Sequence, residues 1–235
     1  MFIDRYYNER DGKISFTREQ GSEFAKQVAD DFNPLHDADA KRFCIPGDLL
    51  FSLVLSRYGL STHMEFTFSG MVVEGVQLLL PEPGPELSID DTEGRHYLSI
   101  KRSGDNITRE SLIQNLARNY VEFSGHTFPH ILVPLLEEQG LMINPSRPMV
   151  FYQSMVIDMD TLDMDSVELE IDHNELSPDG KRADARLMFN FLSGGEIVGR
   201  GQKNMVLGGL RVFDREAVEA AIGEFNQRKM AYTVR

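Results

Sequence analysis

Residues 31–36 read Asp-Phe-Asn-Pro-Leu-His. A carboxylate and an imidazole at this spacing, joined through a rigid Asn-Pro corner, can converge on one small volume. Such a pair can activate a water: the imidazole exchanges a proton near neutral pH and the carboxylate orients it. Further along, Pro46-Gly47 opens an apolar stretch, DLLFSLVLSRY, that stops at Gly59. The first amides of such a helix, around Gly47, Asp48 and Leu49, have no partner within it. With the helix dipole behind them they could hold a polarised carbonyl oxygen. Activated water beside a carbonyl pocket points to hydration of an unsaturated acyl group or to hydrolysis of an acyl ester. Each residue also has a plainer reading. Asp31 could be a solvated carboxylate at a helix end, Asn33-Pro34 a turn starter, His36 loop packing, and Asp37 a cap for a turn at 38–42. Their succession favours the chemistry.

The elements that must position these residues are punctuated by Gly and Pro. Residues 12–16 alternate as a short strand. Thr17 caps an expected helix running to about Asp31, with Glu19 in its first turn and Phe24, Val28 and Phe32 on one side. Residues 62–80 read as two strands broken near Ser69-Gly70, and 95–101 as another. The pattern then restarts. Phe16-Thr17-Arg18-Glu19 returns as Ile107-Thr108-Arg109-Glu110, and Ile45-Pro46-Gly47 as Phe128-Pro129-His130. The second copy is eight residues shorter between its two helices. Its apolar helix is expected at 130–139, followed by strands near 147–158, 166–175, 181–193 and 196–208 and a charged helix from about Asp214 to Met230. A repeat of this length indicates a duplicated domain rather than a solenoid. The expected architecture is α+β, two antiparallel sheets each wrapped around a long central helix.

The 235 residues carry 24 Lys+Arg against 37 Asp+Glu, a net charge of −13, with 41% hydrophobic and 26% charged residues. That is an ordinary globular composition, and the charge opposes binding to a phosphate backbone, so nucleic acid is not an expected partner. No apolar run reaches the length of a membrane span. The charged opening MFIDRYYNERDGK lacks a signal-peptide core, so a cytoplasmic protein is expected. Cys44 is the single cysteine, which excludes an internal disulfide and a cysteine-based metal site. It reads as a buried thiol rather than a nucleophile.

Asp31-Phe32-Asn33-Pro34-Leu35-His36 resembles the Asp-x-Asn-Pro-aliphatic-His signature of the MaoC-like, (R)-specific enoyl-CoA hydratases, in a bacterial branch. Ile45-Pro46-Gly47-Asp48-Leu49-Leu50 is similar to that family's entry into its central helix, and Phe68–Gly75 to the strand pair that follows. The resemblance implies a double hotdog: one half over 1–104, a second over 105–210 with a degenerate loop, and a C-terminal helix over 211–235. It implies Asp31 and His36 as the catalytic pair, with Asn33 ordering the loop. The reaction would be reversible addition of water to a trans-2-enoyl thioester, carried on coenzyme A or acyl carrier protein, to give the (R)-3-hydroxyacyl product. No further cofactor is implied. The halves would form a pseudo-dimer within one chain, with a homodimer also open. Asp30 stands where the family places Gly, and His126 where the second copy would need its aspartate.

His126 and His130 are four apart, but no third ligand has a compelling spacing, so no metal is expected. The substrate-binding set is expected to comprise Asn33, Gly47, Asp48 and Leu49, with Phe151, Tyr152 and Met155 setting the far end of an acyl tunnel. The competing functions are a non-catalytic acyl-thioester-binding or assembly protein, to which Asp30, the short loop and Asp48 point, and an acyl thioesterase.

Overall fold

The computed structural model describes residues 1–233; the last two residues of the expected C-terminal helical segment lie outside them. The chain opens with a small hairpin, β1 (Asn8–Arg10) and β2 (Lys13–Ser15), and then α1 (Arg18–Gln27). Thr17 caps α1 as expected: its hydroxyl accepts the Gln20 amide at 3.2 Å while the Gln20 side chain accepts the Thr17 amide at 3.0 Å. The helix ends four residues earlier than expected, because the chain turns at Asp30, whose φ is +52°. That left-handed conformation suits the Gly of the related signature better than an Asp.

Helix α2 (Gly47–Tyr58) buries Leu49, Leu50, Phe51, Leu53, Val54 and Leu55 on every side. Each such side chain contributes roughly 1.5–3 kcal/mol relative to exposure. Gly59 ends the helix at φ +81°, and a Cβ there would lie 2.4 Å from the Ile107 carbonyl oxygen. Next come β3 (Leu60–Phe68), β4 (Leu78–Leu79), β5 (Glu86–Asp91) and β6 (His96–Ile107). The second half runs through α3 (Glu110–Gly125), a short turn of helix α4 (Thr127–His130), α5 (Leu132–Glu138), β7 (Leu141–Met142), β8 (Met149–Met159), β9 (Glu168–Asp179), β10 (Arg182–Ser193), β11 (Glu196–Gly208), β12 (Arg211–Val212) and α6 (Arg215–Thr233).

The strands of the two expected sheets join in one large sheet, and β7 pairs with β12 in a separate two-stranded one. Ten strands run in the order β1-β2-β4-β5-β6-β3-β8-β11-β10-β9, with every pairing antiparallel. The halves join where β3 pairs β8, in the register Met64↔Ile157 and Phe66↔Met155. Each half would otherwise present an open edge here, and pairing the two satisfies both. Outward from this seam the order is β3-β6-β5-β4 on one side and β8-β11-β10-β9 on the other.

The helix beside α2 also differs from expectation. Leu112, Ile113, Leu116, Ala117, Tyr120 and Val121 give α3 a continuous buried stripe in the same core as α2. Phe51 of α2 packs on Tyr120 of α3 with ring centroids 4.6 Å apart, and Phe66 of β3 and Phe189 of β10 close the cluster at 5.2 and 5.8 Å. Helix α5, expected to be the second central helix, buries only Leu132 and Leu136 and packs in a smaller second core with Leu187, Met205 and Leu207. One turn's worth of apolar residues cannot match the stripe of α3. Among the described residues no helix is long and apolar enough to cross a membrane. The architecture, an antiparallel sheet packed on buried helices, fits a hotdog fold.

Candidate active site

The loop after α1 is built by its own side chains. The Asp31 carboxylate accepts the Asn33 amide at 2.8 Å, and the Asn33 side-chain oxygen accepts the Leu35 amide at 3.1 Å. These are Asx turns, and Pro34 then begins a single turn of 3₁₀ helix ending at His36. The result brings His36 Nε2 to 3.7 Å from Asp31 Oδ2. The other ring nitrogen, Nδ1, lies 2.8 Å from the Cys44 carbonyl oxygen. A carbonyl only accepts, so Nδ1 carries the hydrogen and Nε2 faces Asp31. Burial pulls the imidazole pKa down, but the contacts with Cys44 and the Asp31 carboxylate outweigh it and raise the value from 6.5 to about 9.

A second polar group meets this one at the start of α2. Asp48 Oδ2 accepts the Ser124 hydroxyl at 2.6 Å, while Oδ1 is buried with no partner. Lys203 Nζ donates to the same Ser124 oxygen at 2.5 Å. Lys203 is only 4% exposed, and its ammonium lies 4.4 Å from the centre of the Tyr152 ring. The Tyr152 hydroxyl in turn bonds the Tyr120 hydroxyl. Burial lowers the Lys203 pKa against the opposing pull of Asp48 and Asp31, and burial raises that of Asp48 against the pull of Lys203 and Ser124. Burial also pushes both tyrosines well above their usual range.

A cavity of about 190 Å³ opens beside these groups, between the 31–34 loop, the end of α3, α5, the strands β7 and β8, and α6. Asp31, Asn33, Ser124, Thr127, Glu224 and Arg228 are among its polar lining residues, and Leu132, Leu136, Met142, Val150, Phe213 and Phe225 among its apolar ones. The Thr127 hydroxyl is buried with no partner. Helix α6 closes one side. Phe225 meets Phe32 and Phe128 edge-on at 6.0 and 5.6 Å, and Arg228 pairs with Asp37 at 2.5 Å.

The residues singled out in the sequence are therefore divided. Asp31 and Asn33 are in the wall, and His36 stands behind Asp31. Asp48 reaches the cavity only through Ser124. Leu49 has its side chain in the core, and its amide donates to the Pro46 carbonyl at 3.1 Å, so that amide is not free for a substrate. Gly47 packs under the Phe68 and Tyr152 rings, 3.2–3.3 Å from where a Cβ would sit. Phe151, Tyr152 and Met155 are not among the lining residues: Phe151 is 47% exposed, Tyr152 stacks on Phe68 and Met155 is fully buried in the main core. His126 does not face a metal partner set. Its Nε2 lies 2.8 Å from Asp30 Oδ2, which Lys229 of α6 also binds, and among the described residues no cluster of metal-ligating side chains occurs.

Ser124, Thr127, Lys203 and α6 were missed as site components. Lys203 had a legible signal: it falls in phase with Gly199, Gly201, Met205 and Leu207 on the buried face of β11. Gly125 had none. A Cβ there would lie 1.7 Å from the Ala29 carbonyl oxygen, so glycine lets the end of α3 press against the Asp31 loop.

A family model described as "Protein of unknown function (DUF3581)" matches residues 1–216. No curated protein sequence matches the chain. Among solved structures it is similar to an acyl-CoA thioesterase II, TesB2, from Mycobacterium marinum, at 12% identity and TM-score 0.43 over 91% of this chain and 98% of that one. It is also similar to a MaoC-like dehydratase, at 8% identity and TM-score 0.41 over 87% and 99% of the two chains. The dehydratase domain from the CurJ module of the curacin polyketide synthase aligns at 11% identity and TM-score 0.41 over 88% and 96%.

Proposed function

The chain belongs to the DUF3581 family, and from the geometry of its cavity we propose that it is a double hotdog protein that adds water to, or removes it from, an acyl thioester. In this reading residues 1–104 and 105–210 are the two hotdog halves and the segment from 211 is an added helix. The observation that carries the reading is the pairing of His36 with Asp31, at 3.7 Å, where Asp31 lines a largely apolar cavity.

The acyl tail lies along the wall made by α5, β7, β8 and α6, with the thioester end at Asp31. A water at Asp31 gives a proton to the carboxylate as its oxygen bonds to C3 of a trans-2-enoyl group. The C2=C3 electron pair moves toward the thioester carbonyl, and C2 then takes the proton held by Asp31. The product is the 3-hydroxyacyl thioester, and every atom added comes from one water. His36, protonated at neutral pH, balances the charge of Asp31 and fixes its orientation. Asn33 holds the Asp31 loop.

The test is hydration of crotonyl-CoA, followed by loss of the enoyl absorbance, for wild type, Asp31→Asn, His36→Gln and the double variant. Each single substitution is expected to remove nearly all turnover, with the double costing little more, as for residues that act as a unit. Additive losses would mean two independent roles. Absence of hydration by the wild type would leave the thioester-binding or thioesterase alternatives.

A further inference from the structure

The hydration reading leaves unused the buried trio of Asp48, Ser124 and Lys203. Ser124 sits in the last turn of α3, is itself buried, and is one of the residues that line the cavity. It is held at 2.6 Å from a carboxylate oxygen and 2.5 Å from an ammonium. A structural bridge between a buried Lys and Asp would need no exposure to a cavity and would leave no carboxylate oxygen unpartnered, yet Asp48 Oδ1 has none. A hydroxyl with a base in hydrogen-bond reach and a cation on its oxygen is the arrangement of an activated nucleophile. The neighbouring Gly125 brings the backbone against Asp31, since a Cβ on residue 125 would lie 3.3 Å from Asp31 Cβ.

We propose that Ser124 is a nucleophile of this cavity, with Asp48 as its proton acceptor and Lys203 as the cation on its oxygen, so that the chain captures fatty acyl groups from thioesters as a serine ester and releases them to water. The proposal rests on the reading that the cavity receives an acyl thioester, not on hydration. As Ser124 Oγ bonds to the thioester carbonyl carbon, its proton passes to Asp48 Oδ2. The C–S bond then breaks, and the thiolate takes that proton and leaves as the free thiol. In the second stage a water gives a proton to Asp31 as its oxygen bonds to the ester carbon. The C–Oγ bond breaks, Ser124 regains a proton from Asp31, and a fatty acid departs. The apolar wall selects saturated and unsaturated tails alike, because capture does not require the C2=C3 bond.

The experiment presents decanoyl-CoA, which cannot be hydrated, to the full chain. It measures thiol release together with intact mass, and it maps an alkyl fluorophosphonate label in the wild type by peptide mass spectrometry. The expected results are CoA release, a decanoyl adduct on Ser124, a fluorophosphonate label at the same residue, and loss of release by about a thousandfold in Ser124→Ala. Labelling of the wild type keeps the test independent of whether that variant folds. A chain that hydrates crotonyl-CoA but releases no CoA from decanoyl-CoA and takes no adduct overturns this proposal and leaves the hydration reading standing. CoA release with Ser124 unmodified and unlabelled overturns it too. An adduct on Ser124 without crotonyl-CoA hydration supports it and removes the hydration reading instead.

Discussion

At the scale of single residues, the site turns on charges held inside the protein. The folded-state pKa of His36, about 9, lies above the unfolded value of 6.5. Stabilisation from the protonated ring is therefore full below about pH 6.5 and is lost as pH rises toward 9, a change of about 3 kcal/mol. Urea denaturation of wild type and His36→Gln across that window should give stabilities that differ most at its acid end and converge at its alkaline end. A difference independent of pH would mean the ring is neutral in the folded protein. Lys203 and Asp48 form the second such pair. Lys203→Met strands a buried carboxylate and should cost about 3–5 kcal/mol, while Lys203→Met with Asp48→Leu should recover most of that loss. The sequence made Asp31, Asn33 and His36 legible because an Asx-Pro turn is a local device, complete within six residues. It did not make Ser124 legible, since that residue acquires its partners from α2 and β11, 76 and 79 residues away.

At the scale of elements, most boundaries could be read, and the departures have packing reasons. Helix α2 was plain from its unbroken apolar run, and β8 through β11 from their alternation. Strand β5 was missed because its segment, ELSIDD, is half acidic and follows a Pro- and Gly-rich turn. The assignment of the second buried helix to 130–139 followed the repeat of an apolar-Pro phrase. Tertiary packing instead chose α3, whose stripe spans more turns. Leu116→Ala should accordingly cost about 2–5 kcal/mol in thermal or urea unfolding, as expected for a fully buried leucine. Gly125→Ala should act differently. Its Cβ has no room beside the Ala29 carbonyl, so the Asp31 loop must shift, and turnover should fall even where circular dichroism shows the fold retained. Unchanged turnover in that variant would mean the approach of α3 to the loop has no part in the site.

At the scale of the whole molecule, the strands before and after α3 form one ten-stranded sheet joined at β3–β8, with the cavity made by segments from both parts of the chain and roofed by α6. Separate sheets were expected because a one-dimensional repeat says nothing of how two edges meet. The parts of the chain before and after α3 contribute unequally: the first supplies Asp31, with His36 behind it, and Asn33, while the second, with the end of α3, supplies most of the wall, Ser124 included. Phe225, wedged between Phe32 and Phe128, ties α6 to both. Phe225→Ala should weaken binding of long acyl thioesters about tenfold or more by calorimetry and affect short ones less, since it removes wall rather than chemistry. The most direct test of the central claim is kcat/KM for hydration across trans-2-enoyl-CoA substrates of increasing length, in wild type and Asp31→Asn. The account predicts a rise of about fourfold per methylene, at ~0.8 kcal/mol each, until the cavity is full, with Asp31→Asn near background at every length. Hydration that ignores tail length, or that survives in Asp31→Asn, would contradict it.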